Sequence, residues 1–299
     1  MKKVSMMLLL LALFGAGCKK TESLLSIGLI KPSMNHLPVS LAIELGYLDG
    51  VVVRWFNSGW ELNEALVAHG VDCAVMPFTY AWADVAAGKD VRILSFLERE
   101  SDGLIASRDI ATLSELEGKK IGVLRASTLD AFARLIATEQ GVTPQFISFR
   151  TPMDMASALQ SGDVAAISYY VPSIFRLDAS RFHVIRWYSQ SRPMHPCCDL
   201  VSHDAALATK TPALAALQQA IGKAMNYMES HPEAVVDFVQ QRFALDADVA
   251  RASLAHTAYR LGLDPGGQQI EAEVFALLKS AGYVTGDASV GQMYEKIGD

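Results

Sequence analysis

The chain has 299 residues, of which 51% are hydrophobic and 19% are charged, and its formal net charge at pH 7 is −6. This length and apolar content exclude an intrinsically disordered chain and predict two globular lobes or domains. The net charge would be −8 if Lys2 and Lys3 were removed with the leader segment described next. It argues against a nucleic-acid partner and against a basic membrane-binding face.

The first residues resemble a bacterial lipoprotein signal. Two lysines precede the apolar residues 6–14, and small residues precede Cys18. We therefore predict that residues 1–17 are a signal peptide and that Cys18 is lipidated, which would tether an extracytoplasmic protein to a membrane. Gly15 stands where this signal usually has leucine, so cleavage without lipidation stays open. The apolar segment is shorter than the roughly 20 residues that cross a bilayer.

Short apolar runs alternate with helical patterns from Leu25 onwards, which is typical of βαβ units and mainly parallel sheets. The alternation restarts after Ser101. The order of helix end, glycine, aspartate and strand in residues 66–81 returns in residues 159–172. This repetition predicts two similar α/β lobes. From about Ala205 the pattern is almost wholly helical, and its apolar residues at helical spacing indicate core packing.

The cysteines after residue 18 are odd in number and do not form the pattern of a disulfide framework. Cys73 lies in an apolar run, which predicts a buried thiol. One later segment offers metal-ligating side chains: His195, Cys197, Cys198 and His203. It has no standard zinc spacing, and adjacent cysteines rarely ligate one ion. We therefore predict a buried strand in this segment, and neither a metal nor another cofactor.

Four segments stand in the order found in one family of binding proteins: "HLPVSLAIELGYLDGVVVRW" (36–55), "EALVAHGVDCAVM" (64–76), "LSELEGKKIGVLRAST" (113–128) and "ALQSGDVAAISYYVP" (158–172). Through them the chain resembles the extracytoplasmic solute-binding proteins of ABC importers. The similarity is to the branch that binds aliphatic sulfonates, taurine, nitrate and thiamine-pyrimidine precursors. It covers roughly residues 25–245.

This resemblance implies an α/β fold of the two-lobed periplasmic-binding-protein type (type II). Two crossing segments would join the lobes, which would close by a hinge around a ligand in the cleft. Lobe 1 would comprise residues 25–100 and 201–299, with the helical C-terminal region packed on it, and lobe 2 would comprise residues 101–200. The implied partners are a small-molecule ligand and the permease subunits of an ABC importer. The protein would act as a monomer and would not be an enzyme.

The loops after the strands are the expected ligand contacts, because open α/β sheets bind ligands at the carboxyl ends of their strands. They supply these candidates: Ser33, Asn35, His36, Asn57, Ser58, Trp60, Phe78, Thr79, Tyr80, Arg125, Ser127, Thr128, Ser168, Tyr169 and Tyr170. The aromatic residues among them offer more ring surface than a small sulfonate or nitrate needs. We expect Trp60, Tyr80 and one tyrosine of the last loop to stack on a ring.

Several candidates also have a structural interpretation. Ser58 and Ser127 fit as N-caps of the helices that follow them. His36 would hydrogen-bond within its own loop, and Arg125 would be a solvated surface residue. Glu61 would either accept from an exocyclic amino group of a ligand or complement the helix dipole.

Three functions follow from these observations. The loop with Asn35 and His36 resembles that of thiamine-pyrimidine binding proteins and of fungal pyrimidine-precursor synthases, which favours capture of a small heteroaromatic nutrient such as a thiamine pyrimidine precursor. The first alternative is a binding protein for an aliphatic sulfonate or similar anion, held by Arg125 and helix starts. The second is a synthase-like enzyme that uses His36 with Cys197 or Cys198, although the cysteine-rich run of those synthases is incomplete here.

Overall fold

The structure is a computed structural model that describes residues 24–31 and 33–298. The predicted signal peptide and the predicted lipidation at Cys18 lie outside these residues. Within the described ranges, no helix combines the length and the apolar character that a bilayer-spanning helix requires.

Strands and helices alternate along most of the chain. The strands are β1 (Leu25–Ile30), β2 (Val51–Phe56), β3 (Cys73–Pro77), β4 (Val91–Glu100), β5 (Asp102–Ser107), β6 (Lys120–Leu124), β7 (Gln145–Phe149), β8 (Ala166–Tyr170), β9 (Phe182–Trp187), β10 (Pro196–His203) and β11 (Thr257–Tyr259). The α-helices are α1 (Leu37–Glu44), α2 (Gly59–Val67), α3 (Phe78–Ala86), α4 (Thr128–Glu139), α5 (Pro152–Ser161), α6 (Asp204–Ser230), α7 (Pro232–Phe243), α8 (Ala247–Ala255), α9 (Pro265–Ser280) and α10 (Val290–Met293). Short 3₁₀ turns occur at Leu113–Leu116, Ser173–Arg176 and Tyr188–Gln190.

Two sheets form the centres of two lobes with the same topology. The first sheet has the strand order β11-β4-β10-β3-β1-β2, and the second has the order β7-β6-β8-β5-β9. The second sheet therefore repeats the order β2-β1-β3-β10-β4 of the first, which confirms the prediction of two similar lobes. The fourth strand of each series, β10 or β5, begins just after the chain has crossed from the other lobe.

The prediction of mainly parallel sheets is wrong. Pairing is parallel for β1 with β2 and β3, and for β6 with β7 and β8. It is antiparallel for β10 with β3 and β4, for β11 with β4, and for β5 with β8 and β9. The physical reason is the crossing itself, because β10 and β5 enter their sheets from the opposite end and run against their neighbours.

The C-terminal region is helical except at one short strand. Helix α8 ends at Ala255, and residues 257–259 then pair with the end of β4 as the edge strand β11. The sequence predicted a continuous helix here. Pairing with the exposed edge of β4 overrides that local preference, and Thr257 and Tyr259 both favour strands. The Tyr259 hydroxyl also donates to the backbone oxygen of Met34 at 2.7 Å.

A buried ion-pair network fixes the C-terminal helices to the first sheet. Arg99 of β4 lies 3.3 Å from Glu271 of α9 and 3.5 Å from Asp199 of β10, and all three side chains are almost completely buried. Glu271 also accepts from the hydroxyl of Tyr294 at 2.8 Å and from the indole N–H of Trp82 at 3.5 Å. A single guanidinium therefore lies between two buried acidic groups, and burial followed by the neighbouring Asp199 raises the pKa of Glu271 well above its usual value.

We expect Arg99→Met to lower the free energy of unfolding by about 3–5 kcal/mol, because it leaves two acidic groups buried without a counter-charge. Urea unfolding followed by circular dichroism measures the loss. The matched control is Arg92→Met in the same strand, since Arg92 forms a more exposed pair with Asp204, a kind of pair worth about 1 kcal/mol or less. Equal losses in the two variants would contradict the assigned role of Arg99.

Candidate functional site

A cavity lies between the two sheets, at the carboxyl ends of their central parallel strands. Its wall includes the last residue of each of four strands: Ile30 of β1, Pro77 of β3, Leu124 of β6 and Tyr170 of β8. The starts of α2, α4 and α5 also face it. The centre of a water molecule can occupy only about 50 Å³ of this space, so the cavity between the lobes is a narrow slot. Open α/β sheets bind ligands at this position.

Some of the residues predicted from the sequence line this cavity, and they come from both lobes: Ser33, Asn35, Ser58, Tyr80, Ser127, Thr128 and Tyr170. Tyr80 belongs to α3 of the first lobe and Tyr170 ends β8 of the second, so each lobe supplies one aromatic side chain. The Tyr80 hydroxyl donates to the backbone oxygen of Arg125 at 3.3 Å. This bond connects the two lobes beside the cavity.

Other predicted residues are buried outside the cavity wall: His36, Phe78, Thr79, Ser168 and Tyr169. His36 is held within its own segment, as its structural interpretation predicts. Its Nδ1 lies 3.0 Å from the hydroxyl of Ser40, and its Nε2 lies 2.9 Å from the backbone oxygen of Ile30. Burial is the main cause that lowers the pKa of His36 to about 4, so the ring is neutral at pH 7.

The end of β8 shows why only one of the two adjacent tyrosines reaches the cavity. Successive side chains of a strand point to opposite faces, so Tyr170 faces the cavity while the hydroxyl of Tyr169 donates to the backbone oxygen of Pro152 at 3.4 Å. The preceding Ser168 is completely buried. Its hydroxyl bonds to the backbone oxygen of Leu129 at 2.8 Å.

Three predicted residues lie on the outer rim: Asn57, Trp60 and Arg125. Trp60 is 52% exposed, and its ring meets that of Tyr80 edge-on with 6.4 Å between centroids. The guanidinium of Arg125 lies 5.9 Å from the ring centroid of Tyr283 and does not line the cavity. The backbone N–H of Asn57 donates to the carboxylate of Glu61 at 3.0 Å.

The two predicted N-caps have different outcomes. Ser58 accepts from the backbone N–H of Glu61 at 3.2 Å, which confirms its role as a cap of α2. Ser127 occupies the predicted N-cap position of α4, but its hydroxyl donates backwards to the backbone oxygen of Leu124 at 2.6 Å and accepts no helix N–H. The start of α4 therefore faces the cavity without a side-chain cap.

The acidic residues of the cavity were not among the site residues predicted from the sequence. Glu98, Ser101 and Asp102 line it where the chain crosses from β4 to β5, and Glu100 and Ser101 adopt left-handed backbone angles there. Glu98 and Asp102 are 2% and 1% exposed. The signal was present as "ERESD" (98–102), a polar run between two apolar strands at the point where the α/β alternation restarts.

A β-bulge turns two adjacent cysteines towards the same cavity. Cys198 pairs with Glu98 and Pro196 pairs with Arg99, so Cys197 is an extra residue in β10. A regular strand would point the two sulfurs to opposite faces. Here the Sγ atoms are 3.7 Å apart and both residues line the cavity. The buried strand predicted for this segment is confirmed.

The cysteines and Glu98 form one group that could hold a metal ion, since their ligand atoms all lie within 4.8 Å of one another. Burial raises the pKa of Cys198 to about 11, and the neighbouring thiol and burial raise that of Cys197 well above its usual value. A metal would have to displace both protons. A second group comprises exposed His69, half-buried Asp90 and buried His203. His195 joins neither group.

Ser101 connects the two acidic side chains of the cavity. Its hydroxyl oxygen lies 2.5 Å from Glu98 and 3.1 Å from Asp102. Burial, followed by the charge of Asp102, raises the pKa of Glu98 to about 8. The single hydroxyl hydrogen of Ser101 can be donated to only one of these carboxyl groups. A protonated Glu98 donates to the Ser101 oxygen, and the Ser101 hydroxyl then donates to Asp102.

The cavity presents acceptors, and the described residues place no cationic side chain in its wall. Among the described residues, Asn35 Oδ1, Glu98 Oε2 and Asp102 Oδ2 are buried without a hydrogen-bond partner. The Cys197 and Cys198 thiols lie near Glu98 and act on it only as weak donors, so Oε2 keeps its capacity for a strong hydrogen bond. Asp102 Oδ2 lies 3.8 Å from His195 Nε2, too far for a hydrogen bond.

No lysine, arginine or histidine is among the described residues that line the cavity. The wall around its acceptors is otherwise made of hydroxyl, thiol, aromatic and aliphatic side chains. Buried polar groups are normally hydrogen-bonded. The site is therefore suited to a ligand that donates hydrogen bonds, and it offers an anion no positive side chain.

Solved structures with the same fold are two-lobed binding proteins. The alkanesulfonate-binding protein SsuA from Xanthomonas axonopodis pv. citri, bound to MOPS, has a TM-score of 0.80 at 16% identity, over 92% of this chain and 98% of that one. The zinc-bound ligand-binding component of an ABC-type import system from Staphylococcus aureus has a TM-score of 0.78 at 18% identity, over 91% and 96%. The periplasmic nitrate-binding protein NrtA from Synechocystis PCC 6803 has a TM-score of 0.74 at 15% identity, over 91% and 84%.

These likenesses confirm the two-lobed α/β fold of periplasmic binding proteins. No curated protein shows a significant match to the sequence. A sequence model of the family described as NMT1/THI5 like matches residues 33–235, which is more than half of the chain. The chain therefore belongs to the NMT1/THI5-like family.

Proposed function

We propose that the protein is the solute-binding component of an ABC importer and that it captures a small, flat, amino-bearing heteroaromatic nutrient, such as a thiamine pyrimidine precursor. The observation that carries this proposal is the set of unpartnered acceptors in a cavity whose described wall contains no cationic side chain. Exocyclic amino groups and protonated ring nitrogens are the donors that would satisfy Asn35 Oδ1 and Glu98 Oε2. The burial of these acceptors favours a ligand that supplies such donors.

The remaining wall suits the ring of such a ligand. Tyr80 and Tyr170 supply aromatic surface from opposite lobes, and Ile30, Leu124 and Leu129 add aliphatic surface. A favourable aromatic pair contributes about 0.5–1.5 kcal/mol beyond area burial. Stacking would thus add affinity, while the acceptors at the crossover would select for donors.

The same wall argues against the first alternative, an aliphatic sulfonate. A charge beside a helix terminus gains about 0.3–1 kcal/mol, whereas two like charges 4 Å apart repel by about 4 kcal/mol near a protein surface. A sulfonate beside Asp102 would meet that repulsion with no lysine or arginine in the described wall to offset it. Arg125, the cation expected to hold the anion, lies on the rim.

The second alternative, a synthase-like enzyme, has less support from the site. His36 is buried outside the cavity wall with both ring nitrogens engaged. The raised pKa values of Cys197 and Cys198 keep both thiols protonated at pH 7, and the thiolate is the reactive form. These features favour a binding role.

The proposal includes the arrangement of the chain and its setting. Residues 25–100 and 201–299 would form one lobe, and residues 101–200 the other. The protein would work outside the cytoplasm as a monomer, attached to the membrane through Cys18, and would deliver its ligand to permease subunits.

The first of two predictions about the cavity concerns ligand chemistry. Asp102→Asn is expected to weaken binding of 4-amino-5-hydroxymethyl-2-methylpyrimidine roughly 10-fold or more, because a hydrogen bond to a charged group contributes about 1.5–3 kcal/mol. Isothermal titration calorimetry measures the affinity, with taurine and ethanesulfonate as the competing class. Glu61→Gln on the rim is the matched control and should bind as wild type does. Tight binding of a sulfonate that is indifferent to Asp102→Asn would refute the proposed ligand class.

The second prediction concerns the proton on Glu98. Its pKa in the folded protein is raised to about 8, so folding retains a proton that the unfolded chain releases above its own value of roughly 4. The resulting stability is complete below that unfolded value and is lost as the pH rises through about 8. The melting temperature of wild type should therefore fall between about pH 5 and pH 9 relative to that of Glu98→Gln, which carries no titrating group at this position. Parallel pH profiles of the two proteins would show that Glu98 is ionised at neutral pH.

A further inference from the structure

A second pocket, of about 330 Å³, adjoins the cleft cavity and has the opposite electrostatic character. The two spaces share Ile30 and Ser33 in their walls. The second pocket is surrounded by three basic side chains: Lys31, Arg176 and Arg242. The proposed capture of a nutrient in the cleft makes no use of these residues.

Two of the positive charges lie against the ring of Trp55. Lys31 Nζ lies 5.2 Å from the centroid of the Trp55 ring, and Arg242 Cζ lies 4.7 Å from it. Lys31 Nζ and Arg242 Cζ can therefore be no farther apart than the sum of these two distances. Arg176 completes the group, since its guanidinium donates to the backbone oxygen of Phe243, the residue next to Arg242.

These cations have no acidic partner in the part of the chain that the structure describes. The ion pairs found there involve other basic residues, such as Lys210 with Asp72 and Arg134 with Asp130. His36 in the pocket wall adds no negative charge either. Three cations without an acidic partner at one pocket are unexpected in a chain whose net charge is −6, because the Trp55 ring offsets only part of their mutual repulsion.

The pocket also bridges the two lobes. Lys31 and Trp55 belong to the first lobe, next to the ends of β1 and β2, and Arg242 lies in the last turn of α7. Arg176 belongs to the 3₁₀ turn that follows β8 in the second lobe. The three charges therefore come together only when the lobes are closed against each other as they are in this structure.

We propose that this pocket is a binding site for a doubly charged oxyanion of the phosphate class, held between Lys31, Arg176 and Arg242. Two arginines present planar donor forks that match the oxygens of phosphate, and the lysine adds a third charge. A bound phosphate group would link residues of both lobes and so stabilise the closed arrangement. Phosphate binding would then raise the affinity of the cleft for its ligand, and ligand binding in the cleft would raise the affinity for phosphate by the same factor.

The test uses the purified full-length chain with inorganic phosphate as the probe and chloride at equal ionic strength as the reference. Saturable binding by calorimetry is expected for wild type, together with a phosphate-dependent rise in melting temperature. Arg242→Gln should weaken phosphate binding at least 10-fold. Arg251→Gln is the matched control, because Arg251 lies on the next helix and is paired with Glu233, and it should bind phosphate as wild type does.

Lys31→Gln provides a second variant whose side chain makes no hydrogen bond that Arg176 or Arg242 needs, and it should also weaken phosphate binding. Methyl phosphate tests whether the site takes a monoester, as a phosphorylated ligand would require, or only the free ion. Absence of saturable phosphate binding, or equal binding by wild type, Arg242→Gln and Lys31→Gln, would overturn the proposal. Asp102→Asn should leave phosphate binding unchanged, so failure of the cleft proposal is distinguishable from failure of this one.

Discussion

Strand β4 imposes the constraint on which the rest of the structure depends, because its alternation sends Glu98 and Arg99 to opposite faces. Glu98 enters the cleft, where its carboxyl group is buried beside Asp102. Arg99 turns towards α9, where Glu271 compensates its charge. A shift of one residue in the pairing of β4 would exchange the two side chains. It would place a cation in the cleft and bring Glu98 against Glu271, so the ion pair that anchors the C-terminal helices also fixes the polarity of the cavity.

The bulge in β10 likewise determines which side chains line the cavity opposite Glu98 and Asp102. By inserting Cys197 it gives the cleft two polarizable thiols where a regular strand would give one. Asn35 donates to the sulfur of Cys198 at 3.2 Å. The amide is thereby oriented with Oδ1 left unpartnered. One connected polar surface is thus formed by the loop that follows β1, by strand β10 and by the junction of β4 with β5, although these segments are far apart in sequence.

The sequence was sufficient for features that depend on local pattern. The α/β alternation and the cap at Ser58 follow from spacing and residue type, and several loops after strands reach the cavity. Features that depend on pairing between distant segments were not accessible. Only the register of β8 decides that Tyr170 and not Tyr169 faces the cleft, and only the edge of β4 turns residues 257–259 into a strand. The acidic pair was visible as a polar run, but its burial follows from the crossing of the chain between lobes.

The exchange of strands between the lobes determines how a ligand would meet the site. Both crossing segments continue directly into strands of the neighbouring sheet, so a pivot between the lobes would lie in hydrogen-bonded structure at the floor of the cavity, near Ser101. Atoms close to a pivot move least when a hinge opens. Glu98, Asp102 and the two cysteines would therefore keep their arrangement in the open protein, whereas Tyr80 and Tyr170 would separate. Recognition would take place in two steps. The preformed polar groups would first bind the hydrogen-bond donors of a ligand, and Tyr80 and Tyr170 would then close on it.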